Sequence, residues 1–211
     1  MDLQVHFNRL EARLNLVENR FAYLQGSMPK RLDHTDWMFL EGLVSTTWQH
    51  WCHFCRSVII QSALGGTTSN GLNLPACAAK WEEVSAAAVR IKQGRTPVPG
   101  QTNSILRYEP TWGDPMKLLD IISKLPLGNK NQLAQSFGSS IYISHLQTVR
   151  NASAHRDNQT TADVLALGPM YVVSRLRHPT EALFWLEQQT QELAYLYWLD
   201  DMRTVGSLAI Q

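Results

Sequence analysis

Residues 33–64 read DHTDWMFLEGLVSTTWQHWCHFCRSVIIQSAL, and Trp37, Leu40, Val44, Trp48, Trp51, Cys55 and Val58 recur along them at steps of three and four. That period puts the apolar side chains on one face of an α-helix. Asp33 and Thr35 are both good N-caps for its start. The run Gly65-Gly66-Thr67-Thr68-Ser69-Asn70-Gly71 stops it and makes a flexible loop. A helix this long needs other helices against its apolar face, and the flanking sequence supplies them.

Upstream, Leu3, Phe7, Leu10, Leu14, Val17, Phe21 and Leu24 alternate steps of four and three, a heptad seam ended by Gly26 and Pro29. Two readings of the seam stay open: packing on its own domain, or a seam for a dimer or partner. Residues 1–30 are therefore set apart as an N-terminal helix, and 31–211 as one helical domain. Downstream, the pattern predicts a helix over Cys77 to Gln93 closed by Gly94, then a long irregular connection from Arg95 to Gly113. Asp114-Pro115, an N-cap followed by proline at the first helical position, opens a helix through Leu125. Shorter helices are expected from Asn131 to Phe137 and from Ile141 to His155. Gly168-Pro169 breaks the chain, and Met170 to Leu176 reads as a short extended piece. A final helix is expected from Thr180 and Glu181 onward, carrying Leu183, Phe184, Leu186, Leu193, Leu196, Tyr197 and Met202. Strands and helices do not alternate, and there is no internal repeat. The expected fold class is all-α, a helical bundle.

Composition narrows the function classes. The chain has 211 residues, 44% of them hydrophobic, which suits a single globular core. No stretch approaches the roughly 18 uncharged apolar residues of a membrane-spanning helix. The opening Met1-Asp2-Leu3-Gln4-Val5-His6 lacks the basic-then-apolar pattern of a secretory signal. Three cysteines are too few for a disulfide framework, so a reducing, cytoplasmic setting is expected. A net charge of +1 argues against a broad nucleic-acid footprint. Arg150, Arg156, Arg175 and Arg177 nevertheless lie close in sequence, opposed only by Asp157 and Asp163. A local basic patch and ordinary solvated charges fit this equally well.

Several catalytic patterns are missing. Trp51-Cys52-His53-Phe54-Cys55 has the spacing of a redox motif, but its thiols fall in the middle of a helix with no strand before it, so core packing is expected. Only Cys77 and scattered histidines remain to complete a zinc site, and no metal is expected. The Gly65-Gly66 pair lacks the Gly-Lys-Ser/Thr of a phosphate loop, and neither a Gly-x-Ser-x-Gly elbow nor a His-Glu-x-x-His helix occurs. No cofactor is implied.

What remains is Arg150-Asn151-Ala152-Ser153-Ala154-His155. A histidine titrates near neutral pH and moves protons at a ribose hydroxyl or leaving oxygen. An arginine stays charged and holds a phosphate through two hydrogen bonds while negative charge builds. Asn151 can orient either. On an ideal helix Asn151 and His155 share a face, about 40° apart, whereas Arg150 and His155 lie about 140° apart. Either the arginine wraps round, or the helix frays near His155, or the site is shared with another chain. Ser144, Gln147 or Thr148, Asn151 and His155 form a polar stripe. By residue type alone, Arg and His near a helix C-terminus also simply complement its dipole.

The same six residues resemble the signature of the HEPN superfamily: an Arg, a spacer of about four to six residues, and a His, often with Asn directly after the Arg. The stretch from Leu40-Glu41-Gly42-Leu43-Val44-Ser45 through Trp48, Trp51 and Arg56 is similar to an earlier core helix of some bacterial members. The likeness spans roughly Thr35 to Arg203. It implies a small helical domain that dimerises with its motif helices adjacent. It further implies a metal-independent endoribonuclease of toxin or antiviral-defence type, with an antitoxin or defence-system protein as partner. Arg150 and His155 would be catalytic, Asn151 would support them, and Glu41 and Ser144 would be supporting residues from the surroundings. Other members bind RNA or nucleotides without cutting, which gives the alternative of a non-catalytic binding or assembly module. One departure is clear. Members controlled by nucleotide addition carry Tyr two residues after the His, where this chain has Asp157.

Overall fold

In the computed structural model, which describes residues 2–27, 32–103, 105–174 and 176–211, the long apolar stripe forms one unbroken helix. The helices are α1 (Gln4–Ser27), α2 (His34–Ala63), α3 (Trp81–Lys92), α4 (Pro115–Lys124), α5 (Lys130–Gly138), α6 (Ile143–His155), α7 (Asn158–Leu165) and α8 (Ala194–Ala209). The only sheet among the described residues pairs β1 (Tyr171–Val172) with β2 (Leu186–Glu187), antiparallel. The fold is an all-α helical bundle. Pro29, expected to end the first helix, lies outside the described residues, as does Arg175.

Local chemistry explains most of the boundaries. Asp33 starts α2 by accepting hydrogen bonds from the N–H groups of Thr35 (2.8 Å) and Asp36 (3.1 Å). Asp114 does the same for α4 through Met116 and Lys117, with Pro115 at the first helical position. The third helix begins later than its apolar pattern predicts. The N–H groups of Cys77 and Ala78 turn back to the Ala63 carbonyl, at 2.8 and 3.0 Å, which ties this stretch to the end of α2.

The expected final helix is corrected most. It begins at Ala194, and Pro179–Phe184 is a 3₁₀ turn followed by β2. Side chains enforce the break. The Glu181 carboxylate accepts from the N–H of Arg177 (2.6 Å) and of His178 (3.3 Å). Glu187 accepts from Gln189, Thr190 and the Thr190 hydroxyl, closing a tight turn before α8. The helix α7 was not foreseen at all. Asp157 and Thr160 form a reciprocal capping box at its start, with Thr160 N–H donating to Asp157 at 2.7 Å.

The chain clusters into two compact units, each discontinuous in sequence. One comprises Met1–Glu11, Trp51–Ser140 and Thr204–Gln211. Trp51 is fully buried there, near Phe54 and Phe137, and its indole N–H donates to the Gly113 carbonyl at 3.2 Å. Glu109 pins the irregular connection in place. It takes two hydrogen bonds from Arg56 (2.8 and 2.9 Å), one from Trp112 (2.7 Å) and one from Ser85 (2.5 Å). Burial opposes its ionisation, but these donors prevail and hold its carboxyl below the ordinary range. Gly128 and Gly206 are close approaches: a Cβ on Gly128 would lie 2.6 Å from the Pro75 ring, and one on Gly206 would lie 3.1 Å from Leu10.

The other unit comprises Ala12–His50 and Ile141–Arg203. Its core joins Leu14, Val17 and Phe21 with Leu40, Val44, Val149, Trp185 and Trp198. Phe21 stacks on Phe184 at 5.2 Å and meets Tyr195 at 4.7 Å. Leu3, Leu10, Leu14, Val17, Phe21 and Leu24 are all buried, so the heptad stripe of α1 is a packing face of this chain. Thr47 donates its proton to the Leu43 carbonyl at 2.8 Å, so the Tyr195 hydroxyl, 2.7 Å away, donates to Thr47.

Candidate functional site

The motif lies on α6, whose start is fixed from afar. Tyr142 at its N-cap offers no side-chain acceptor; instead Asp201 of α8 accepts from the N–H groups of Tyr142 (2.8 Å) and Ile143 (3.1 Å). Ile143, Leu146, Val149 and Ala152 face the core. This leaves Arg150, Asn151 and Ser153 half-buried, and Ala154 and His155 exposed. The helix stays regular through His155, and Arg156 leaves it. Arg150 Nη1 donates to Asn151 Oδ1 at 3.2 Å. Among the described residues no hydrogen bond or ion pair joins Arg150 to His155, so the arginine has not wrapped round the helix.

The polar stripe is partly satisfied on its own helix. Ser144 Oγ donates to the Ile141 carbonyl (3.0 Å), Thr148 to Ser144 (3.0 Å) and Ser153 to Val149 (2.8 Å). Asp157, just past the motif, has its carboxyl held low first by the Thr160 N–H, with nearby His155 adding to the effect.

Beside the end of α6 is a constellation that the sequence reading missed except for Glu41. The guanidinium of Arg156 donates through Nη2 to Glu41 Oε1, and His178 Nε2 lies 3.1 Å from the same oxygen. The His178 tautomer follows from its other nitrogen. Nδ1 accepts from Thr180 N–H (3.3 Å) and sits 2.8 Å from Thr180 Oγ1, so the ring proton is on Nε2. Trp37, one turn before Glu41 on α2, stacks on the His178 ring at 5.2 Å and 12°. The 3₁₀ turn that follows His178 packs on α6. His178 is only 4% exposed. Burial pushes its pKa down, Arg156 does the same, and Glu41 opposes them. No local spacing signals this cluster, because 115 residues separate Glu41 from Arg156.

Two enzyme-like readings are weaker on geometry. Thr180, His178 and Glu41 line up as hydroxyl, imidazole and carboxylate, but Thr180 is fully buried and beyond a substrate's reach. Cys55 is buried and Cys52 half-buried, and burial, then the neighbouring Cys52, pushes the Cys55 thiol well above its ordinary range. Among the described residues no three His, Cys, Asp or Glu side chains gather as metal ligands, and no helix is long and apolar enough to cross a membrane. Of the clustered arginines, Arg156 pairs with Glu41 and Arg177 with Glu181 at 3.0 Å, which reduces the local positive charge. Comparison of the chain with protein-family models, curated proteins and solved structures gives no match.

Proposed function

We propose that this chain is a metal-independent endoribonuclease of the HEPN type, serving as a cytoplasmic toxin or antiviral-defence effector and acting as a homodimer. In this reading the ribose 2′-hydroxyl attacks the adjacent phosphorus. The leaving 5′-oxygen takes up a proton, and the product carries a 2′,3′-cyclic phosphate. His155 transfers protons, Arg150 stabilises the charge building on the phosphorane, and Asn151 orients Arg150. The observation that carries the reading is the segregation of α6. Val149 and Ala152 are buried, while Arg150, Asn151 and His155 remain accessible on its last turns. An antitoxin or defence-system partner would restrain or trigger the activity.

The alternative, a non-catalytic RNA-binding or assembly module, draws on the pairing of Arg156 and Arg177 with carboxylates. One experiment separates the two. Purified chain is incubated with single-stranded RNA in excess chelator, and the product ends are analysed. Cleavage with cyclic-phosphate ends is expected, falling about 10²- to 10⁴-fold in folded His155→Ala, the usual worth of a general acid–base group. Cleavage that needs added metal, or that is unchanged in His155→Ala, overturns the mechanism. RNA binding without cleavage favours the module.

A further inference from the structure

We propose that Arg156 and His178 form a phosphate-binding subsite beside the motif, and that the Glu41 carboxylate occupies it as an internal stand-in for the phosphate. Two groups from separate segments meet at one oxygen of Glu41: Arg156 Nη2 donates to it and His178 Nε2 lies 3.1 Å away, a pairing of donors that suits the several oxygens of a phosphate. No hydrogen bond among the described residues reaches the other carboxylate oxygen, Glu41 Oε2.

The fit of Glu41 is also incomplete. His178 Nε2 is buried and, although 3.1 Å from Glu41 Oε1, has no well-aligned acceptor among the described residues. The indole Nε1 of Trp37, on the ring stacked over His178, is a second buried donor without a partner among the described residues. Most buried donors find a partner, and one that does not calls for an explanation, a bound ion among them. The remaining nearby acid does not compete. Glu181 accepts from the Arg177 and His178 backbone and pairs with the Arg177 side chain.

The Arg156–Glu41 side of the cluster faces solvent. The Arg156 side chain is 49% exposed and that of Glu41 26%. An ion pair this accessible is weak, so a phosphate needs only a modest advantage to take its place. Glu41 can swing into solvent about its own rotatable bonds while Trp37 and Thr180 hold His178 in place. The carboxylate then acts as a built-in competitor that sets the affinity of the subsite. Any phosphate monoester or diester satisfies this chemistry. That the phosphate belongs to RNA rests on the function proposed above.

The test is calorimetric titration of the full chain with inorganic phosphate and, separately, with a single-stranded RNA oligonucleotide. Wild type, Glu41→Gln and Glu41→Gln/Arg156→Ala are compared, each checked by melting. Neutralising Glu41 should tighten phosphate about two- to fivefold, and removing Arg156 as well should erase that gain. Equal or weaker phosphate binding by Glu41→Gln, or a gain that survives loss of Arg156, overturns the proposal. Should the variants not fold, the wild-type His178 Nε2 resonance gives the answer: a shift during phosphate titration is expected, and a static signal overturns the subsite. Competition between RNA and phosphate for this signal identifies RNA as the source, whereas a signal that only small phosphates move assigns a free phosphate. RNA cleavage is scored independently with His155→Ala. Phosphate behaviour as expected without any cleavage keeps the subsite and removes the nuclease; the reverse keeps the nuclease and removes the subsite.

Discussion

His145 sits on the core side of the motif helix and should make the protein sensitive to acid in a calculable way. Its Nδ1 lies 2.6 Å from the Tyr171 hydroxyl, which accepts from the Trp198 indole at 2.8 Å. That leaves the Tyr171 proton free to point at Nδ1, an arrangement open only to the neutral imidazole. Burial pushes His145 from 6.5 down to about 4. The unfolded chain thus takes up this proton first as pH falls. The stabilising effect is complete above the unfolded value and is lost between pH 6.5 and about 4. Linkage puts the loss between about pH 7.5 and about pH 5 at roughly 2 kcal/mol. For a chain of this length that is about 4–8 °C in Tm. The assay compares urea or thermal melts at the two pH values for wild type and His145→Asn, whose Oδ1 keeps an acceptor near the Nδ1 position and does not titrate. His6 and His178, also lowered chiefly by burial, titrate in both proteins and cancel in the comparison. Wild type should lose about 2 kcal/mol more than the variant on acidification. Parallel losses would refute the reasoning.

Two further predictions bear on packing and assembly. Gly128→Ala should destabilise the protein by about 1–3 kcal/mol, as overpacking typically does, because the new methyl would lie 2.6 Å from the rigid Pro75 ring; a variant as stable as wild type in urea melts would show that the loop yields freely. In the proposed nuclease, mixing inactive Arg150→Ala and His155→Ala chains under subunit exchange should restore some RNA cleavage if one cleft takes Arg150 from one chain and His155 from its partner. No recovery despite demonstrated exchange would remove the shared cleft.

Sequence by itself determined the elements whose signals are local. The apolar stripe from Trp37 to Val58 made α2 legible, the Asp33 and Asp114 caps marked two helix starts, and the helix carrying Arg150, Asn151 and His155 was placed to within two residues. Leu183 to Leu193 suggested continuation of the final helix, yet Glu181 and Glu187 bind backbone N–H groups there and impose turns, a preference that apolar periodicity does not register. The heptad stripe of α1 could have met another chain or its own; burial of Phe21 against Phe184 and Tyr195 decided it. Tertiary structure alone decided the surroundings of the motif. Asp201 caps α6 from 58 residues away, and Arg156 and His178 meet on Glu41 only because separate segments pack together. Charge and hydrogen-bond partners act over a few ångströms in space, whatever their separation along the chain, so a one-dimensional reading finds such residues only when they are also neighbours in sequence.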